Sequence, residues 1–323
     1  LIGAGEDVTI LDAQQTGRVI TMEFCTNNTI TDLTITGGLA EGSAPNNQGG
    51  GMYVTSSNPT LTHLTISGNT AFYSGGMSLI SSNSTLTHVT IENNTARNGG
   101  GMYLSYSNPT LTHVTIANNI ALADCGGMYL FSSNPTLTHV TISNNTAAYF
   151  GGGMYVASSN PTLTNVTIAN NTADDYGGGM LLTSSNPTLT NSILWDNNPE
   201  SINFGNYDYN SELIINYSDI EGGWEGEGNI DADPLFTDPD NGDYSLQDGS
   251  PCIDTGNPNL WYQDVDGTPS DMGVTGGLFA LPNFISHNFG EVGDIGIDKQ
   301  FNLYNYRDTS ITISDAVFGT SSF

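Results

Sequence analysis

Histidines at one position of a repeating sequence are the first candidates for chemistry in this chain. They recur every 25 or 26 residues, and two asparagines continue the same column: His63, His88, His113, His139, Asn165 and Asn191. Imidazole is the commonest metal ligand and carries protons near neutral pH. Rings stacked on successive coils about 4.8 Å apart, however, do not surround one tetrahedral metal ion.

A left-handed bend explains this column without metal chemistry. Histidine and asparagine, with Asp32 at the equivalent position of an earlier coil, are the residue types that most often adopt positive φ apart from glycine. We therefore predict a ladder of bend residues. A second column lies six residues further along, with Gly38 in the first coil: Asn69, Asn94, Asn119, Asn145, Asn171 and Asn197. We predict a second left-handed bend there, with hydrogen bonds between the stacked amides.

Both columns belong to a longer element that begins at a methionine and occurs six times, at Met52, Met77, Met102, Met128, Met154 and Met180. A fixed period of this size is typical of a solenoid in which each repeat forms one coil. Apolar residues alternate with polar ones at 102–104 and 114–116, which predicts β-strands with Met, Leu, Val and Ile inside. Because Leu111 is out of phase with Val114, the chain must bend at His113. The sequence predicts an all-β parallel β-helix of about nine or ten coils, with three short strands per coil.

Outward-facing residues of the coils are candidates for binding. A tyrosine follows the methionine in four coils, at Tyr53, Tyr103, Tyr129 and Tyr155. A strip of stacked tyrosines could hold sugar rings, although ordinary aromatic packing between coils explains it as well. The Thr-Leu-Thr segments, such as residues 110–112, resemble the regular threonine faces of ice-binding β-solenoids. Threonine is also simply a frequent outward strand residue.

Charge and hydropathy exclude other classes. The 323 residues include 33 acidic and four basic ones, for a net charge of −29, which excludes a nucleic-acid binder. No apolar run approaches 18 residues, so we expect no membrane insertion in this segment. The chain begins at Leu1 without a signal peptide, and we expect a mature or trimmed fragment.

An acidic turn near the C-terminal end of the repeats is the candidate metal site. Asp238, Asp240 and Asp243 offer oxygen ligands around Gly242, in the manner of a Ca²⁺ loop. Gly249 stands where an EF-hand has its bidentate glutamate, and a solvated capping turn explains the cluster equally well. Calcium is the only cofactor that the sequence suggests.

The 25- or 26-residue repeat is lost toward the C-terminus, which divides the chain into three predicted regions. Residues 1–236 are predicted to form the β-helix, residues 237–280 a loop-rich C-terminal cap, and residues 281–323 a short β segment. A cap is expected because an open solenoid end exposes strand edges.

Motifs near the C-terminus resemble known families. The runs at 228–236, 242–246 and 249–256, followed by 264–267 and 271–273, resemble the C-terminal end of secreted bacterial right-handed β-helix proteins of the pectate-lyase-like superfamily, often described as "choice-of-anchor" surface proteins. The runs at 288–293 and 301–305 resemble the start of an immunoglobulin-like domain of the abnormal-spindle/hydin type. The resemblance implies a right-handed β-helix that is secreted or at the cell surface, and it implies no particular activity.

Two enzyme alternatives remain open beside a binding role. A β-helix lyase needs a basic proton abstractor, and of Arg18, Arg97, Lys299 and Arg307 only Arg97 lies in the regular coils. A hydrolase needs paired carboxylates, for which Asp124, Asp174 and Asp175 in the variable loops are candidates. We expect a non-catalytic structural, adhesive or glycan-binding module whose partner is a polysaccharide or other copies of itself. A polysaccharide lyase or glycoside hydrolase is the first alternative, and an ice-binding protein that uses the threonine face is the second.

Overall fold

Three parallel sheets wind around one apolar core in the computed structural model, which describes residues 1–205, 211–259, 262–264, 267–277, 280–282 and 303–305. Sheet A has twelve strands: Ile10–Asp12, Thr29–Thr36, Thr60–Ser67, Thr85–Glu92, Thr110–Ala117, Thr136–Ser143, Thr162–Thr164, Thr167–Ala169, Thr188–Thr190, Ile193–Trp195, Ile214–Asn216 and Asp219–Ile220. Sheet B has eight: Ile20–Glu23, Met52–Thr55, Met77–Ile80, Met102–Ser105, Met128–Phe131, Met154–Ala157, Met180–Thr183 and Ile202–Phe204. Sheet C has six: Leu39–Ala40, Thr70–Tyr73, Thr95–Asn98, Ile120–Ala121, Thr146–Ala147 and Thr172–Ala173.

Equivalent residues of successive coils pair in register, for example Met102 with Met77 and Met128. The parallel β-helix that the sequence predicts is confirmed, and the eight strands of sheet B correspond to about eight turns. The predicted number of nine or ten is slightly higher, because the irregular segments at both ends resemble coils in sequence without forming strands in all three sheets.

The core contains the side chains that the alternation pattern places inside. Met102, Leu104, Leu111 and Ile116 are fully buried, and Val114 is 1% exposed. The equivalent residues of the other coils continue this core along the axis. Each coil therefore buries its apolar side chains on those of its two neighbours, as a solenoid requires.

The first bend has the predicted backbone geometry. φ is 49° at His63, 51° at His113 and 51° at Asn191, in the left-handed region. The bend does not end a strand, because the segment Thr110–Ala117 continues through His113. The third strand of each coil is instead the short Thr-Ala segment of sheet C. Sequence analysis does not predict this strand, because a segment of two residues is too short to show a period of two.

The prediction of a left-handed bend at the second column is wrong by one residue. Positive φ belongs to the residue before each ladder asparagine, such as Asn118 at 57° and Asn144 at 55°. The ladder asparagines themselves point inward and are buried. Asn119 Nδ2 donates to Ile91 O at 2.9 Å and to Asn145 Oδ1 at 3.0 Å, and the Asn119 backbone N–H donates to the same Oδ1 at 3.0 Å. The amide ladder thus links each coil to the next.

A third left-handed bend occurs between sheet B and sheet A, at Ser56, Ser81 and their equivalents. Two further ladders follow it. In the buried ladder, Ser82 N–H donates to Ser107 Oγ at 2.9 Å. In the exposed ladder, Asn108 N–H donates to Asn83 Oδ1 at 2.7 Å. The repeated Ser-Ser-Asn-Pro signals these ladders in the sequence, because serine and asparagine side chains bond readily to nearby backbone.

The C-terminal end of the rod is covered by residues that follow the last strand of sheet A. Trp224 packs on Phe204, with ring centroids 6.1 Å apart, and Asn229 Nδ2 donates to Ile215 O at 2.9 Å. The predicted cap lies elsewhere. Residues 250–259, 262–264 and 267–277, which we call the C-terminal segment, lie along the flank of the rod and contact the bend residues Asn165 and Asn191. Buried side chains of this segment, Cys252 and Met272, pack on Ile193.

Antiparallel pairs complete the described structure. Phe236–Asp238 pairs with Asp243–Leu246 around the 3₁₀ turn Pro239–Asn241, and Ala280–Pro282 pairs with Leu303–Asn305. The rest of the predicted immunoglobulin-like segment lies outside the described residues. None of the helices described is long and apolar enough to cross a membrane.

The two asparagine ladders allow a matched comparison of stability. Replacing Asn119 with Ala removes the side-chain donor to Ile91 O and the side-chain acceptor of the Asn94 backbone N–H, both buried, and each group left unsatisfied costs about 1–3 kcal/mol. Replacing the exposed Asn108 with Ala removes the acceptor of the Asn134 backbone N–H, which can bond to water instead, so we expect a loss under about 1 kcal/mol. Thermal and urea unfolding of the two variants measures the difference, and equal losses would mean that burial does not strengthen the amide ladder.

Candidate functional site

A cleft of 730 Å³ opens on the outer face of sheet C, beside the loop formed by residues 41–51. Its walls include charged, amide and apolar side chains together: Leu39, Glu41, Asn47, Phe72, Arg97 and Leu122. A smaller cleft of 370 Å³ adjoins it, since both share Leu39 and Glu41. Sites for small ligands and sugars generally have this combination of apolar walls and a few polar groups.

Sheet C positions most of the cleft residues in one column. The alanines Ala40, Ala71, Ala96 and Ala121 pair across successive coils and point inward. Because side chains alternate along a strand, the residue after each alanine points outward. This outward column, which we call the Arg97 column, contains Glu41, Phe72, Arg97, Leu122, Ala148 and Asp174.

Arg97 is exposed in the middle of this column. Its guanidinium carbon lies 5.2 Å from the centre of the Phe72 ring, a cation–π contact that orients the group. The Phe72 ring is itself held edge-on by Tyr73, with ring centroids 4.8 Å apart. Within the residues described, the Arg97 guanidinium forms no hydrogen bond or ion pair. Its N–H groups are therefore available to a ligand.

Arg18, the other described arginine, is committed to the structure of the cleft wall. Its guanidinium donates to Gln48 O at 2.9 Å, to Pro45 O at 2.8 Å and to Thr21 Oγ1 at 3.1 Å. It also lies 4.7 Å from the centre of the Tyr53 ring. Burial lowers the pKa of Arg18. These contacts hold the loop 41–51 in place, and Arg18 is not free for substrate.

Asn47, which lines the cleft, has a buried side-chain acceptor without a partner. Its backbone carbonyl accepts hydrogen bonds from Phe72 N–H at 3.1 Å and Tyr73 N–H at 3.0 Å, which fixes the loop on sheet C. Its side-chain Oδ1 atom is buried and has no hydrogen-bond partner. A buried polar atom without a partner costs free energy, so a donor supplied by a ligand would be favoured here.

The tyrosine column predicted to face glycans lies on sheet B and outside this cleft. Tyr53 is 6% exposed, and Tyr103, Tyr129 and Tyr155 are half-buried. Their rings contact one another, with centroids 5.4 Å apart for Tyr103 and Tyr129 and 4.8 Å apart for Tyr129 and Tyr155. Burial raises the pKa of Tyr129. Most of the ring surface is thus used in packing between coils.

The histidine column forms a stack of parallel rings. Centroids are 5.1 Å apart for His63 and His88, 5.0 Å for His88 and His113, and 4.9 Å for His113 and His139. His139 is buried under the C-terminal segment, where Nδ1 lies 3.2 Å from Val274 O. Burial, with a smaller contribution from His113, lowers the pKa of His139 to about 4.

The acids that cluster in the structure are not the ones that the sequence predicts as a metal site. Ligand oxygens of Asp254, Asp264 and Asp271 lie within 4.8 Å of one another. Among the described residues, these three form the group of side chains close enough together to hold a metal ion. Burial first, and then Asp271, raise the pKa of Asp264 to about 6. Asp238, Asp240 and Asp243 are exposed around their turn, where Asp238 Oδ2 accepts from Asn241 Nδ2 at 2.8 Å. Calcium at either place stays a prediction.

The carboxylates considered for hydrolysis are spread over two coils. Burial raises the pKa of Asp124, while the nearby Arg97 lowers it. Asp174 and Asp175 are exposed. Sequence analysis includes Asp124 and Arg97 in separate candidate sets, and the structure places them close enough to interact.

A buried acid that sequence analysis does not single out lies under the C-terminal segment. Asp219 is fully buried, Cys252 Sγ donates to its Oδ2 at 3.1 Å, and Ala232 N–H donates to its Oδ1 at 3.1 Å. Burial is the main cause that raises the pKa of Asp219 to about 6. The segment is therefore attached partly through groups that titrate.

Stacked parallel coils with a cleft beside the longest loop define a β-solenoid protein with a lateral cleft. The family described as "Right handed beta helix region" matches residues 5–148 and 127–226, and the chain belongs to this family. Among solved structures, the crystal structure of pectate lyase Pel9A is similar, with a TM-score of 0.44 and 12% identity over 82% of this chain and 86% of that chain. No curated protein matches the chain.

Attachment of the C-terminal segment should depend on pH through Asp219. Its pKa in the folded state, about 6, is above the value of about 3.9 expected in the unfolded chain. The stability that this acid contributes is therefore fully present below about pH 4 and is lost as pH rises through about 6. We expect Asp219→Asn to raise the melting temperature relative to the parent protein at pH 8 more than at pH 4.

His139 and Asp264 also titrate, so the comparison uses the difference between variant and parent at each pH. Asp240→Asn, which removes an exposed acid, serves as the control and should give a difference that hardly changes with pH. A pH-independent effect of Asp219→Asn would show that the carboxyl does not titrate in this range.

Calcium should stabilise the folded chain by relieving repulsion between clustered carboxylates. Binding to the folded state alone adds about 2.7 kcal/mol at a hundredfold excess over the dissociation constant. We expect a higher melting temperature with millimolar Ca²⁺ than with chelator, and no such rise with NaCl of matched ionic strength. The shift should persist in the double variant Asp240→Asn/Asp243→Asn and disappear in Asp264→Asn.

A Ca²⁺ shift that disappears in Asp240→Asn/Asp243→Asn and persists in Asp264→Asn would place the ion at the turn that the sequence predicts. A melting temperature unaffected by Ca²⁺ in the parent protein would contradict a calcium site in both places.

Proposed function

We propose that this β-helix is a non-catalytic module that binds a glycan in the cleft between sheet C and the loop 41–51. One observation carries the proposal: an unpaired guanidinium and an amide oxygen without a partner line a single 730 Å³ cleft with apolar side chains. Secretion or display at the cell surface, and an adhesive or structural role there, are part of the same proposal.

Sugar chemistry fits this set of residues. Sugar hydroxyls donate and accept hydrogen bonds, which suits the Asn47 acceptor, the Glu41 carboxylate and the Arg97 donors. The C–H face of a sugar ring is apolar and suits Leu39, Phe72 and Leu122. Leu122 is 65% exposed, so its side chain has apolar surface that a ligand would cover.

The shape of the sheet favours an extended ligand. The Arg97 column continues over six coils, each about 4.8 Å from the next. Solenoids commonly bind elongated ligands along such repeated surfaces. A polysaccharide lying along the axis would contact several coils, whereas a small molecule would use the cleft alone.

Binding is favoured over catalysis by how the candidate groups are used. Arg18 has a lowered pKa, as a basic catalyst needs, but its donors hold the loop 41–51. Asp124, with a raised pKa, would suit a general acid. Asp174 and Asp175, its candidate partners, belong to a loop two coils further on. A lyase or hydrolase remains the alternative that the same binding experiment can detect.

The test measures binding of oligosaccharides by isothermal titration calorimetry, with matched variants. We expect Phe72→Ala and Asn47→Ala each to weaken binding by about tenfold, which is about 1.4 kcal/mol. Phe131→Ala and Asn108→Ala are the controls and should bind as the parent does. Phe131 has the same exposure as Phe72, 37%, but lies on sheet B.

Equal losses in Phe72→Ala and Phe131→Ala would contradict the assignment to the cleft. Cleavage products that accumulate with the parent protein and not with Arg97→Gln or Asp124→Asn would support an enzyme instead.

An ice-binding role is the second candidate, because of the threonine face of sheet A. Thr110 and Thr112 pair in register with the threonines of the neighbouring coils, as do their equivalents from Thr60 to Thr188. The segments 58–63, 83–88, 108–113, 134–139, 160–165 and 186–191 contain no acidic or basic residue other than the bend histidines, although the chain is strongly acidic. A flat, uncharged and periodic face suits a periodic, uncharged surface such as ice.

Ice binding is checked by the gap between the melting and freezing points of small ice crystals in protein solution. We expect Thr136→Tyr, in the middle of the face, to abolish any gap, and Thr146→Tyr on sheet C to leave it unchanged. A parent protein without a gap would exclude this role.

A further inference from the structure

The charges along the Arg97 column alternate in sign. Glu41 lies two coils before Arg97, and Asp174 lies three coils after it. At about 4.8 Å per coil, these acids are roughly 10 Å and 14 Å from Arg97 along the axis. A single positive group thus stands between two negative ones on one line.

The positions between these charges are neutral. Phe72 and Leu122 flank Arg97 directly, and Ala148 separates Leu122 from Asp174. A ligand along the column therefore meets apolar surface on both sides of the guanidinium. Neutral sugar rings match that surface, because their C–H faces need no counter-charge.

The supply of positive charge is small throughout the described chain. Arg18 and Arg97 are the arginines in that part, which includes no lysine, and the donors of Arg18 are already used. The whole chain has a net charge of −29, so every further negative charge on a ligand is repelled. Asp124 already interacts with Arg97, so at most one anionic group of a ligand can be compensated in the cleft.

We propose, building on glycan binding in this cleft, that the ligand is a mainly neutral glycan bearing one anionic sugar, whose oxyanion is bound by Arg97. A guanidinium binds a carboxylate or a sulfate through two parallel N–H···O bonds, and the Phe72 ring holds it in the required orientation. A polymer charged on every unit would place further anions beside Glu41 and Asp174, within about one Debye length of 8–10 Å.

Carboxylate and sulfate share this chemistry, and the experiment separates them. The probe is an array of oligosaccharides in matched sets, each with a neutral parent, the parent with one uronic acid, the parent with one sulfate, and a fully uronic chain of equal length. Binding constants are measured for the parent protein and three variants: Arg97→Gln, Phe72→Ala and Thr110→Glu. Thr110→Glu has the same net charge as Arg97→Gln but lies on the threonine face of sheet A.

We expect members with one anionic sugar to bind roughly tenfold or more tighter than their neutral parents, because hydrogen bonds between charged groups are stronger than those between neutral groups. Arg97→Gln should bind them as weakly as the neutral parents, and Thr110→Glu should keep the preference. The preference should also weaken as salt rises.

Equal binding of neutral and singly charged members, or tightest binding of the fully charged chain, would overturn the selectivity while leaving glycan binding intact, provided that Phe72→Ala still weakens it. If no member of the array binds, both the selectivity and the proposed function fall.

Discussion

The buried amide ladder is the constraint on which the rest of the structure depends. Each ladder asparagine bonds to a carbonyl of the preceding coil and to the amide of the next coil, in a space that excludes water. These bonds exist only if equivalent residues stay in register from coil to coil. A coil with one residue more between its bends would leave several buried polar groups without partners, at about 1–3 kcal/mol each. The sequence accordingly keeps constant spacing from each methionine to the alanine of sheet C.

Variation is therefore confined to the stretch between that alanine and the next methionine. The first such loop, residues 41–51, has eleven residues, and the later ones have five or six. The extra length lets the loop rise beside sheet C, where Arg18 and the Asn47 carbonyl attach it. The cleft arises from this combination of a regular column, supplied by the repeat, and one irregular wall. Function in a solenoid can change at this place without disturbing the core.

Scarce positive charge gives the cleft its chemical character. In a chain with 33 acids, an arginine without an ion pair is exceptional, and Arg97 lies exposed on an aromatic ring within the cleft. The flank of the rod shows the opposite case. There, Asp219 and Asp264 have raised pKa values because burial and neighbouring acids disfavour their charge. The pKa of His139 is lowered by burial and by the neighbouring His113. Arg97 thus gives the cleft a group that can bind an anion, whereas the contacts of the C-terminal segment include groups whose protonation changes with pH.

The repeating sequence is sufficient to predict the structure of one coil. Its period, its alternating apolar residues and its column of His and Asn predict stacked strands, an apolar core and a left-handed bend, because each of these depends on local geometry that repeats. It also predicts the amide ladder, but it misplaces the adjacent bend by one residue, since Asn118 and Asn119 are of the same type and only their burial distinguishes them. Only the folded structure shows which of the candidate side chains are exposed and close enough together to form a site. The alternation pattern predicts that Tyr129 and Arg97 both point outward. In the structure a neighbouring ring covers part of Tyr129, whereas Arg97 is exposed. Asp254, Asp264 and Asp271 meet only because the C-terminal segment folds back along the flank, a long-range contact for which no local pattern exists.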